Sequence, residues 1–160
     1  MTVFGKSLYE YVAFASVFLA LILVVGITRL AFSLGGTPDL LVRWASISVL
    51  MGIGVFYFGI RAHTTGFGTY RHLLPIYFLQ SLTAQAVIVP GIIIAIVTGH
   101  DNIFSIPENY FGADGKTWGH VFAHLFIGTT VGSLVGWLVG CLVLFVTKKV
   151  TRDKPPAVAA

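Results

Sequence analysis

The stretch Val121-Phe-Ala-His-Leu-Phe-Ile-Gly-Thr-Thr-Val-Gly-Ser-Leu-Val-Gly-Trp-Leu-Val-Gly-Cys-Leu-Val-Leu-Phe-Val146 decides the fold class. Its 26 residues contain no Asp, Glu, Lys or Arg. A run this long and apolar reads as a transmembrane helix, because ~20 residues rising ~1.5 Å each cover the ~30 Å of bilayer hydrocarbon. Leu73–Thr98 has the same character, again without a charge. Tyr11–Thr28 and Leu40–Ile60 complete a set of four. With helices expected at about 11–30, 40–61, 73–98 and 119–147, little of the chain is left outside them. The three modest connections predict an all-α, up-down-up-down four-helix membrane bundle forming a single domain over residues 1–160.

Composition agrees with a lipid solvent. The chain is 56% hydrophobic and 10% charged, where a soluble domain carries ~25% charged residues. Its net charge of +4 does not point to nucleic acid, since the basic residues form no patch with interleaved stacking aromatics. The charge reads as membrane orientation instead. If the N-terminus is cytoplasmic, that side carries Lys6, Arg61, Arg71, Lys148, Lys149, Arg152 and Lys154, against Arg29, Arg43 and Lys116 on the other. Seven against three predicts both termini in the cytoplasm. Residues 148–160 are expected to be a cytoplasmic disordered tail.

The quoted helix also carries a row at steps of four: His120, His124, Gly128, Gly132, Gly136 and Gly140. Small residues so spaced, as in a glycine zipper, let another backbone approach closely. Each step advances ~400°, so the row winds along a ridge of the helix. Gly128, Gly132, Gly136 and Gly140 are therefore assigned to helix packing, within the bundle or against another subunit.

The chemistry-bearing residues are few. His120 and His124 are neighbours on one helix, and His100 and Asp101 close the preceding one. Imidazole and carboxylate suit a transition metal, and His100 with His124 is the best haem pair on that side. His63 and His72 are the corresponding pair on the cytoplasmic side. Gln80, Thr83 and Gln85 place polar groups near mid-membrane, where they should face protein or hold a quinone, a lipid or a small polar ligand. Pro75 is expected near the start of this helix and Pro90 at a bend late in it. The loop Gly99–Gly119 is aromatic enough to lie on the membrane surface or against a partner. Cys141 is the single cysteine, so no intrachain disulfide is available.

No Asp, Glu, Lys or Arg lies deep in the membrane core, which argues against a self-contained pump or ion-coupled transporter. No nucleophile–base motif is recognisable, so no catalytic residue is assigned. The leading expectation is a small accessory or structural subunit of a larger membrane complex, with a respiratory or photosynthetic electron-transfer assembly as one setting. The alternatives are a haem- or metal-binding, quinone-reactive membrane anchor and a homo-oligomeric channel or lipid-binding scaffold. The expected partners are membrane lipids and other membrane subunits or further copies of the chain.

Overall fold

The computed structural model describes residues 2–38, 42, 46–106 and 114–152. It is a mostly helical bundle with a small hairpin at its start. Strands β1 (Thr2–Val3) and β2 (Lys6–Ser7) pair antiparallel. Helices α1 (Leu8–Leu34), α2 (Ile47–Thr64) and α3 (Tyr70–Thr98) follow. The last span is built from α4 (Trp118–Phe122), a π-helical segment (Ala123–Gly128) and α5 (Thr129–Arg152). Among the described residues, four helical spans are long and apolar enough to cross a membrane: Leu8–Leu34, Ile47–Thr64, Tyr70–Thr98 and Trp118–Thr151.

The helix starts have identifiable causes. Ser7 caps α1: its hydroxyl accepts the Glu10 N–H at 3.2 Å, and the Glu10 carboxylate accepts the Ser7 N–H at 2.7 Å. This reciprocal pair starts α1 at Leu8, three residues before the expected apolar run. Ser46 caps α2 through the Val49 N–H. Helix α2 therefore starts at Ile47, and not at about residue 40 as the apolar run suggests, while residues 39–41 and 43–45 lie outside the described residues. Helix α3 opens at Tyr70, so Pro75 is its sixth residue and not part of its first turn. It closes on Gly99, which adopts the left-handed φ of 74° that ends helices without a Cβ penalty. The helix is continuous through both Pro75 and Pro90. At the other end of the chain, α5 continues to Arg152, and residues 153–160 lie outside the described set.

Two buried clusters hold the spans together. One is aromatic: Tyr11, Phe18, Phe58 and Tyr77 with Leu73, Ile76 and Leu144. The other is aliphatic: Ile22, Ile47, Val87, Ile92, Ile103 and Val121 with Phe104. The loop after α3 belongs to the second cluster. Ile103 and Ser105 are buried to within 1%. Asn102 donates its side-chain amide to the Gly91 carbonyl at 2.7 Å, and the Ile103 N–H bonds the Ser33 hydroxyl at 2.8 Å. Gly91 leaves room for this docking, since a Cβ there would meet the Phe104 ring at 2.6 Å. The surface that this part of the loop covers is thus the bundle itself.

Candidate functional site

The glycine row has its partner inside the chain. Tyr77, Ser81 and Gln85 recur at steps of four on α3 and face the row on the last span. A Cβ at Gly128 would stand 2.7 Å from the Gln85 amide nitrogen, one at Gly132 3.2 Å from the Ser81 hydroxyl, and one at Gly136 3.4 Å from the Tyr77 Cβ. At Gly140 a Cβ would overlap the Tyr77 ring and hydroxyl. The absent side chains are what admit a tyrosine, a serine and a glutamine between two helices.

Polar groups follow the same seam. The Tyr77 hydroxyl donates to the Val55 carbonyl at 2.9 Å. Gln85 accepts from His124 Nδ1 at 3.0 Å through its amide oxygen. An amide oxygen can only accept, so His124 carries its proton on Nδ1 and presents Nε2 as an acceptor. Gln80 points elsewhere, toward Gly54 of α2, which makes room for its amide. Thr83 donates to the Leu79 carbonyl one turn back on its own helix. Gln80, Thr83 and Gln85 therefore do not converge on one site. Among the described residues, Gln80 Nε2, Ser81 Oγ and Thr129 Oγ1 are buried without a hydrogen-bond partner. Such orphans inside a helical bundle are costly and mark the seam as incompletely satisfied.

His124 lies in the π-helical segment. The Thr129 N–H reaches back five residues to the His124 carbonyl. A single wide turn of this kind recurs at functional sites because it re-aims side chains without ending the helix. His120 lies one turn earlier. It is buried, its Nδ1 sits 2.7 Å from the Gly115 carbonyl, and its ring centre lies 4.8 Å from that of His124.

Both histidines open on a cavity of about 280 Å³, which is also lined by Arg29, Ser46, Ser48 and Phe104. With Ile88 of α3, all four spans and the docked loop thus supply its walls. Arg29 at the end of α1 stacks its guanidinium 5.7 Å from the Phe104 ring centre. In the sequence Arg29 entered only the count of basic residues. Nothing in the spacing of Ser46, Ser48 and Phe104 pointed to a shared cavity, and the π turn has no sequence signature that would reveal it.

The other histidines and acids are placed differently. His100 is exposed, and its backbone N–H bonds the Thr98 hydroxyl. Asp101 pairs with Lys116 at 2.7 Å and accepts from the Ser105 hydroxyl at 3.3 Å. The hydrogen bond to Asp101 raises the Lys116 pKa, and the Lys116 backbone N–H lowers that of Asp114. Among the described residues, no group of three or more His, Cys, Asp or Glu side chains could hold a metal ion. His63 bonds Thr151 at 2.8 Å. His72 is engaged through both nitrogens, Nδ1 accepting the Thr69 N–H at 2.9 Å and Nε2 donating to the Phe4 carbonyl at 3.1 Å. Neither nitrogen of His72 is left for an iron.

No family model matches this chain, and no curated protein or solved structure matches it.

Proposed function

We propose that this chain is a small integral-membrane subunit that seats the head of a quinone-class molecule in the cavity between Arg29, His120 and His124. The observation that carries this reading is the cavity itself. It is polar on one side, apolar on the other, and sits at the π turn of a bundle that is otherwise apolar. Its volume of about 280 Å³ lies just below the ~300–1,000 Å³ range of small-molecule sites, which suits a ring and its substituents better than a large ligand. Ser46, Ser48 and the Arg29 guanidinium carry donors for ring carbonyls, while Phe104 and Ile88 supply flat apolar walls. With Nδ1 donated to Gln85, His124 Nε2 accepts a hydroxyl of the reduced ring. The proposal is for binding, and no catalytic activity of this chain's own is assigned.

The subunit half of the proposal is supported by the outer face of the last span. Trp118, Phe122 and Phe126 are exposed beside the π turn, and the rings of Phe122 and Phe126 stack 6.2 Å apart. Rigid aromatics grouped in this way suit a helix of another subunit. The up-down arrangement, with both termini cytoplasmic, belongs to the same proposal. The side given to the termini rests on the seven-to-three basic count; the up-down arrangement is supported by the cavity, where the end of α1, the start of α2, the loop after α3 and the start of the last span meet. It is also supported by contacts elsewhere that join Phe4 to His72, Lys148 to Tyr70, and His63 to Thr151.

Isothermal titration of the chain in nanodiscs with a short-tailed benzoquinone or naphthoquinone tests the site. Saturable binding near one per chain, weakened at least about tenfold in His124→Ala, is expected for the loss of a hydrogen bond in a closed site. Absence of saturable binding, or equal binding by His124→Ala, overturns the quinone reading.

A further inference from the structure

A second, larger groove lies on a different face and shares no residue with the quinone cavity. It has a volume of about 530 Å³ and is walled by Phe4, Leu8, Leu74, Phe78, Leu82 and Leu134. We propose that it binds one acyl chain of an anionic phospholipid, with the headgroup phosphate held by Arg71 beside Phe4.

The groove has a built cap. Phe4 and Gly5 form the two-residue turn of the hairpin, with φ of 53° and 86°. Turns of this hand favour Asn-Gly or Gly-Gly, since a bulky side chain at positive φ is strained. Phe4 is held there by two buried side chains from other elements. His72 donates to the Phe4 carbonyl at 3.1 Å, and Tyr11 donates to the Val3 carbonyl at 3.0 Å. Strained residues kept in place by their surroundings are typical of ligand clamps. Here the strain sets an aromatic ring at the mouth of an apolar groove.

The dimensions fit one chain of one leaflet. From Leu74 to Leu82 is eight residue steps along α3, or about 12 Å. This is most of the ~15 Å depth of a leaflet's hydrocarbon and well short of the whole core. The charge fits a phosphate. Arg71 is exposed, and its guanidinium carbon lies 5.7 Å from the Phe4 ring centre. Among the described residues Arg71 has no carboxylate partner, and Glu10 is already held by Lys6 and Ser7. A guanidinium at a membrane surface is well matched to phosphate, with which it makes paired charge-assisted hydrogen bonds.

Native mass spectrometry of the full chain released from nanodiscs tests this. The nanodiscs contain equal phosphatidylglycerol and phosphatidylcholine with matched acyl chains. One retained lipid is expected, with phosphatidylglycerol preferred about fivefold. Arg71→Gln is expected to abolish the preference while a lipid is still retained, and Arg71→Lys to keep part of it. Leu134→Trp fills the groove and is expected to lose both lipids without change in melting temperature. Equal retention of the two lipids by the wild type overturns the proposal. So does a preference that survives Arg71→Gln, or retention of a neutral isoprenoid molecule in place of phospholipid. Quinone titration of Arg71→Gln should match wild type, so the two sites fail independently.

Discussion

The aromatic and aliphatic clusters of this bundle solve the same problem differently. Around Tyr77 the seam closes. The tyrosine ring fills the space left by Gly136 and Gly140, its hydroxyl bonds the Val55 carbonyl, and the nearby Tyr11 and His72 are also hydrogen-bonded. Around Gln85 and His124 the packing residues are aliphatic, a π turn interrupts the helix, and a polar cavity opens. In lipid there is little hydrophobic drive between helices, so close packing and interhelical hydrogen bonds carry association. The aromatic half has both around Tyr77, although the Gln80 amide nitrogen beside Gly54 and Phe18 has no partner among the described residues. The aliphatic half gives up some of each beside a cavity, as is usual for a binding site set against a rigid support.

The strongest way to break this contrast is to overfill the aromatic half. Gly140→Leu places a branched side chain where Tyr77 already lies. A loss of about 3 kcal/mol or more is expected, at the upper end for overpacking, because the obstacle is a buried ring bonded to a third helix. Gly52→Leu, on a helix surface where a Cβ would meet nothing within 4 Å, serves as the control and should unfold like wild type. The measurement is reversible unfolding in mixed detergent micelles. Equal midpoints for the two variants would show that the Tyr77 seam is not the stabilising half.

A smaller effect is expected in the aliphatic half. Gln85→Met keeps the length of the side chain but removes the acceptor of His124 Nδ1–H. Leaving a buried donor unpaired costs about 2 kcal/mol. In Gln85→Met/His124→Phe the orphan is gone, so the double variant should lose less than the sum of the single ones. A coupling energy of about 1 kcal/mol separates a real interhelical bond from mere proximity. A coupling near zero would remove Gln85 as the support of the cavity histidine.

Much of the fold could be read from the sequence because the signals were long. Four apolar runs needed only counting; the glycine row stood out by its spacing, which did not show that the side chains of Tyr77, Ser81 and Gln85, rather than a close backbone, fill the space it leaves. Boundaries were missed where short-range chemistry decides them. The pair Ser7 and Glu10 carries the capping signature that sets the start of α1, yet the apolar run begins at Tyr11. The buried loop was missed because Ile103, Phe104 and Ile106 read as apolar without saying what they cover. Their site is Gly91, whose missing side chain is uninformative until Phe104 is seen against it. The candidate site was half legible. His120 and His124 stand out by spacing, but their company did not. His100 and Asp101 are near in sequence to the same region, while Arg29 and Ser48 are distant, and only folding shows which of these share a cavity.

The mildest expected change has the opposite sign, and it sharpens the comparison most. Gln80 and Gln85 are both buried glutamines on α3, and composition cannot distinguish them. Gln85 has a partner, whereas Gln80 Nε2 has none among the described residues and is packed against the bare backbone of Gly54. An unpaired amide in a nonpolar interior lowers stability, and replacing it with an apolar group of like shape relieves that cost. Methionine is unbranched, close to glutamine in length and adaptable in irregular spaces. Gln80→Met should therefore stabilise the bundle by about 1 kcal/mol, where the same substitution at Gln85 destabilises it. The two variants are compared by unfolding midpoint in the same micelles. If Gln80→Met falls alongside Gln85→Met, then Gln80 has a partner in the membrane-embedded protein, and the unsatisfied seam is an occupied one.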